Sequence, residues 1–141
     1  MRALGLDLGA RRIGVAISDS EGRMATPVGT IERAMNDRPT DHRAIAGLVA
    51  EWDAEVVAVG LPLSLDGSVG PAAASVLAEV VELAEVLSVP VETVDERFTT
   101  VTADSQLKAG GLRGRDRSKV IDQAAAAVLL QAWLDRQEKH C

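Results

Sequence analysis

The first eighteen residues constrain the fold more than any other stretch of this chain. Residues 2–8 form an apolar run holding one carboxylate, Asp7, and Gly9-Ala10-Arg11-Arg12 then leads into a second apolar run over residues 13–18. Two strands with so short a connection predict a hairpin. Asp7 is the only acid in these eighteen residues, and its neighbours read as core. Burying a lone carboxylate is costly, or forces it to take up a proton. An acid placed there points to a metal, a cation or a polar ligand. The structural alternative is a strand-end acid that accepts N–H groups of the turn. Gly9 and Gly14 allow a tight turn and close approach of a ligand. The segment has the character of one corner of a phosphate-handling site.

A third short strand is expected near Ala25–Ile31, after the turn Ser20-Glu21-Gly22. A helix opens at Pro39 and Thr40, with Ile45, Leu48, Val49 and Trp52 on one face. The continuous apolar run from Glu55 to Gly60 predicts a strand buried on both faces. Pro71 suits the first turn of a helix running to Leu87, with Val76, Val80, Leu83 and Leu87 inward. Val89–Val94 reads as a further strand ending at Asp95-Glu96-Arg97. Thr99 or Thr100 then caps a helix to about Ala109, which Gly110 to Arg115 breaks. A last helix runs from near Ser118 to about Gln137, and its alanines 124–127 imply close contact with a sheet. Antiparallel strands followed by β-α-β units predict an α/β fold with a mixed five-stranded sheet and helices on both faces. That is the order expected of an RNase H-like fold. Residues 1–137 read as one domain, and residues 138–141 as a short disordered tail.

Composition narrows the chemistry. The single cysteine, Cys141, excludes an internal disulfide and a cysteine zinc cluster, and two histidines, His42 and His140, are too few for a histidine metal site. A metal here would be held by carboxylates, which favours Mg²⁺ or Mn²⁺. No segment approaches a membrane span and the start lacks a signal peptide's apolar region, so the expected location is cytoplasmic, with no membrane partner. A net charge of −6 argues against a general nucleic-acid coat. Yet Lys108, Arg113, Arg115, Arg117 and Lys119 crowd one segment with a single acid, Asp116. With Arg11, Arg12 and Arg97 they would form a local basic rim for nucleic acid. A solvated loop is the plainer reading of that segment.

Three acids stand where the chain leaves the sheet or enters a helix: Asp7 ends the first strand, Glu96 follows the last, and Asp122 lies early in the final helix. Ligands of open α/β sheets gather beyond the carboxyl ends of strands, so Asp7 and Glu96 can converge there. Three such carboxylates can hold two divalent ions for phosphodiester cleavage. Glu96 could instead pair with Arg97 or cap a helix, and Asp122 could simply answer the helix dipole.

Four blocks, in order, carry a resemblance. They are Asp7-Leu8-Gly9-Ala10-Arg11-Arg12-Ile13-Gly14-Val15-Ala16; Gly60-Leu61-Pro62-Leu63 with Asp66-Gly67 and Gly70-Pro71; Asp95-Glu96-Arg97-Phe98-Thr99-Thr100; and Lys119-Val120-Ile121-Asp122 with Ala124-Ala125 and Leu129-Leu130-Gln131. Together they resemble the YqgF (RuvX) family of pre-16S rRNA nucleases, also described as Holliday-junction-resolvase-like. The resemblance implies a bacterial cytoplasmic nuclease that needs a divalent metal and acts at the 5′ end of the 16S rRNA precursor. It carries the family's acidic positions onto Asp7, Glu96 and Asp122, with Asp95 adjacent as a further metal ligand. Phe98 stands where the family usually has Leu, and Ala10 where Thr is common.

Arg11, Arg12 and Arg97 would then lie near the scissile phosphate, and the Lys108–Lys119 segment would grip flanking backbone without reading sequence. Structured RNA is the expected partner, with ribosomal assembly intermediates a further candidate. Branched DNA is the alternative, and a resolvase would act as a symmetric dimer; the residues leave monomer and homodimer open. Actin-like and sugar-kinase ATPases share the first loop, but they close two such domains around a nucleotide. A non-catalytic RNA-binding assembly factor is the third class.

Overall fold

The computed structural model describes residues 1–98 and 114–139. Strands β1 (Ala3–Leu8), β2 (Arg12–Ser18) and β3 (Ala25–Glu32) come first. They are followed by α1 (Arg38–Glu51), β4 (Val56–Leu61), α2 (Pro71–Val86) and β5 (Val91–Asp95). A single 3₁₀ turn over Glu96–Phe98 leaves β5, and the last described helix is α3 (Gly114–Lys139). The sheet order is β3-β2-β1-β4-β5. β1, β2 and β3 pair antiparallel, whereas β1, β4 and β5 run parallel, so the sheet is mixed as expected.

The two faces of the sheet differ in side-chain size, and that difference sets which helix comes close. One face carries Leu4, Leu6, Ile13, Val15, Val57 and Val59, packed against Ile45 and Val49 of α1 and Val76 and Leu83 of α2. The other carries Ala3, Ala16, Ala58 and Val94 beneath Ala126, Leu130, Trp133 and Leu134 of α3. Small residues on both sides let α3 approach the strands closely, as the alanine run predicts. Closest of all is Gly14, where a Cβ would overlap the main-chain carbonyl of Asp122.

Helix α1 begins one residue before Pro39, because the Asp37 side chain caps it by accepting the Thr40 N–H at 3.2 Å. α3 begins at Gly114 rather than Ser118, since its polar first turn has no apolar period to reveal it. It also extends to Lys139, into the expected tail. β5 starts at Val91, two residues later than expected. In α2 the inward stripe is Ala73, Val76, Glu79 and Leu83, so a glutamate takes a core position. The expected cap at Thr99 or Thr100, the helix to Ala109, and residues His140 and Cys141 lie outside the described residues.

Candidate active site

Strand alternation aims Ala3, Gly5 and Asp7 at the α3 face of the sheet. Asp7 pairs with Gly14 across the β1–β2 ladder. Because Gly14 supports the Asp122 backbone, α3 delivers Asp122 to the same corner. Glu96 reaches it from the other side, its carboxyl folded over Gly60, where a Cβ would stand 2.7 Å from Glu96 Cδ. Any larger residue at position 60 would expel that carboxyl.

Asp7 and Glu96 are close enough for their side chains to share a hydrogen bond, in which a protonated Glu96 donates to the Asp7 carboxylate. Burial, followed by the charge of Asp122, pushes the Asp7 carboxyl up to about 6. Burial and then the charge of Asp7 push Glu96 up to about 7. Asp122 is also raised by burial, against the pull of Arg12. Its carboxylate lies 3.5 Å from Arg12 Nη1, while Arg12 Nε donates to Glu32 at 3.2 Å. In this arrangement no group of three or more His, Cys, Asp or Glu side chains among the described residues is gathered tightly enough to hold a metal ion.

The other expected site residues divide. Asp95 is wrapped by Arg97, whose Nε lies 2.8 Å from Oδ2 and Nη2 2.6 Å from the same oxygen. That hydrogen bonding holds the Asp95 carboxyl below its ordinary range. Arg97 also donates to the Leu65 carbonyl at 3.4 Å, so its guanidinium braces the β4–α2 loop. Arg11 is exposed in the β1–β2 turn that follows Asp7. Lys108 and Arg113 lie outside the described residues. Arg115, Arg117 and Lys119 fall on the first turns of α3, where the helix backbone is described and their side chains are not.

The family model described as RuvX, Holliday junction resolvase, matches residues 1–136. The chain belongs to the RuvX family. It is 48% identical over 137 residues to a Streptomyces coelicolor protein named "Putative pre-16S rRNA nuclease", covering 96% of this chain and 81% of that one. A Mycobacterium leprae protein of the same name is also 48% identical, with 96% and 73% covered. Among solved structures, Thermus thermophilus RuvC matches with a TM-score of 0.58 at 18% identity, over 98% of this chain and 97% of that one. The fowlpox virus Holliday junction resolvase gives 0.58 at 11% identity, over 96% and 99%. These two likenesses confirm the fold, a RuvC-like member of the RNase H-like class.

One feature of this RuvX-family chain escaped the sequence reading. Just past β3, Arg33 is enclosed by Asp41 and His42 of α1 and Glu79 of α2, which are 2%, 2% and 4% exposed. Burial alone would raise Glu79, but hydrogen bonds from Arg33 and His42 hold it below its ordinary value. Arg33, Asp41 and Glu79 also line a cleft of about 500 Å³, together with Gly9, Ala10 and Pro62. That cleft lies on the α1/α2 side of the sheet, opposite the acids. The only hint in the sequence was a glutamate at an inward position of α2.

Proposed function

We propose that this chain is a divalent-metal-dependent endonuclease that processes the 5′ end of pre-16S rRNA. The observation that carries this reading is the Asp7–Glu96 pair, two desolvated carboxyls folded together over Gly60 on the α3 face of the sheet and both raised above their ordinary values. Such a pair has excess negative charge that a proton or a cation must balance. All-oxygen ligands suit Mg²⁺ or Mn²⁺. Asp7 and Glu96 would hold the ion, and Asp122 would join them on leaving Arg12. Asp95, engaged by Arg97, is the weaker candidate ligand.

When bound, the ion would supply an activated water and neutralise charge on the phosphate. The protein's own residues do the rest. The Gly60 cradle keeps Glu96 against Asp7, and Arg12 holds Asp122 nearby until an ion takes it. Arg11 in the turn offers a cation to the phosphate backbone. The names of the relatives favour RNA as substrate, and the family description keeps four-way DNA junctions as the alternative. Among the described residues no helix is long and apolar enough to cross a membrane, which is compatible with the cytoplasmic reading.

The test is cleavage of a 16S-precursor 5′ fragment and of a mobile four-way DNA junction, with Mg²⁺ or Mn²⁺, by wild type and Asp7→Asn. Cutting of the RNA by wild type alone is the expected result. Paired symmetric nicks in the junction would replace the RNA reading with a resolvase. A folded Asp7→Asn protein with undiminished metal-dependent turnover would overturn the acid-site mechanism.

A further inference from the structure

The buried cluster around Arg33 has no direct place in the acid site, yet it is tied to it through the backbone. Arg33 Nε donates to the Gly9 carbonyl at 2.8 Å, and its main-chain N–H donates to the Arg11 carbonyl at 2.9 Å. The Gly9 N–H in turn donates to the Asp7 carbonyl at 3.0 Å. One residue therefore grips both ends of the turn that joins Asp7 to Arg12. The guanidinium is itself clamped. Nη1 and Nη2 donate to the two Glu79 oxygens at 2.7 and 2.9 Å, and Nη1 lies 3.3 Å from Asp41 Oδ2. His42 Nε2 meets the same Glu79 carboxylate at 2.9 Å, and Asp41 accepts the Ala34 N–H at 2.8 Å.

Buried ion clusters are poor sources of stability compared with apolar packing, and their best-attested use is to impose one arrangement over others. Here the arrangement imposed is that of the β1–β2 turn. We infer that Arg33 is a positioning residue for the acid site: clamped by Glu79 and Asp41, it fixes the turn that aims Asp7 on one side and Arg12, with Asp122, on the other. Helices α1 and α2 thereby act on a site that lies across the sheet from them. The inference deepens the nuclease reading and, for its effect on catalysis, rests on it.

The informative variant is Arg33→Lys. It keeps a cation beside Glu79 and Asp41, but a single ammonium cannot reproduce the planar fork and also reach Gly9. Expected results in the folded protein are a loss of about tenfold or more in Mn²⁺ affinity, read by electron paramagnetic resonance, and a comparable fall in kcat with KM for nucleic acid unchanged. Arg38→Met removes a surface ion pair with Glu82 that spans the same two helices, and it should leave both readouts at the wild-type level. Hydrogen exchange supplies a measurement independent of activity: the Gly9 amide should lose protection in Arg33→Lys while amides within α1 keep theirs. Wild-type Mn²⁺ affinity, kcat and Gly9 protection in folded Arg33→Lys would overturn the inference. If wild type itself bound no Mn²⁺ and cut nothing, the nuclease reading would fail. The exchange result would still decide whether Arg33 sets the turn.

Discussion

Gly14 and Asp122 meet backbone to backbone: the carbonyl of Asp122 occupies the space in which a side chain on Gly14 would begin. Since Gly14 is also the ladder partner of Asp7, a single small residue sets the distance between two of the three acids. Gly14→Ala should push α3 away from β2, destabilise the protein by about 1–3 kcal/mol and abolish metal-dependent cleavage. Gly29, where an added Cβ meets nothing within 4 Å, supplies the control. Gly29→Ala should change stability by less than about 1 kcal/mol in urea unfolding and leave cleavage intact.

Acid titration offers a second test. Asp7 and Glu96 have folded-state pKa values of about 6 and about 7, above their ordinary values of 3.8 and 4.5. The folded protein therefore holds these protons longer than the unfolded chain does. The pair costs nothing while both states are protonated, and its cost grows as pH rises from the unfolded values through the folded ones. In metal-free buffer, Asp7→Asn should gain on wild type in Tm as pH goes from about 4 to about 8. The gap should reach the equivalent of about 1–3 kcal/mol, after allowance for partial exposure. Adding Mn²⁺ at the upper end of that range should raise the wild-type Tm and not that of the variant. A gap that stayed constant with pH would show that the pair is not strained.

Arg12 opposes the effect of burial on Asp122. Removing it in Arg12→Met should raise the Asp122 pKa further and shift the acid limb of the cleavage pH–rate profile to higher pH. An unshifted limb with reduced activity throughout would assign Arg12 to phosphate binding alone.

Glu79 is the hub of the buried cluster, bonded to both Arg33 and His42. Glu79→Ala leaves a buried guanidinium with Asp41 as its remaining carboxylate, and should cost about 3 kcal/mol in a denaturant titration. Glu82→Ala, at an exposed ion pair on the same helix, should cost less than about 1 kcal/mol.

The three acids proposed for the site stood out because each sits where a pattern breaks: Asp7 inside an apolar strand, Glu96 just past one, and Asp122 ahead of an alanine run. Strand ends led to Glu96 as the partner of Asp7, but that Arg97 engages Asp95 rather than Glu96 was not legible. Val94 packs toward α3, Asp95 takes the alternate direction and is caught by Arg97, and the 3₁₀ turn carries Glu96 back over Gly60. Arg33 gave no signal at all, because a polar residue at the end of an edge strand is what a solvated turn also requires.

Among the described residues the sequence by itself determined the order and type of the strands and α-helices, the hairpin at the start, the parallel strands that follow and the close approach of α3 through its alanines. Periodicity and residue size act locally, so they can be read from a string of letters. Only the tertiary structure decided that Arg97 takes Asp95 and leaves Glu96 folded over Gly60, that Asp122 leans on Arg12, and that Glu79 and Asp41 reach across to hold the turn through Arg33. Those choices depend on side-chain direction at the end of a strand and on partners 46 and 110 residues apart, such as Arg33 with Glu79 and Arg12 with Asp122. Packing brings such residues together, and no local preference encodes it.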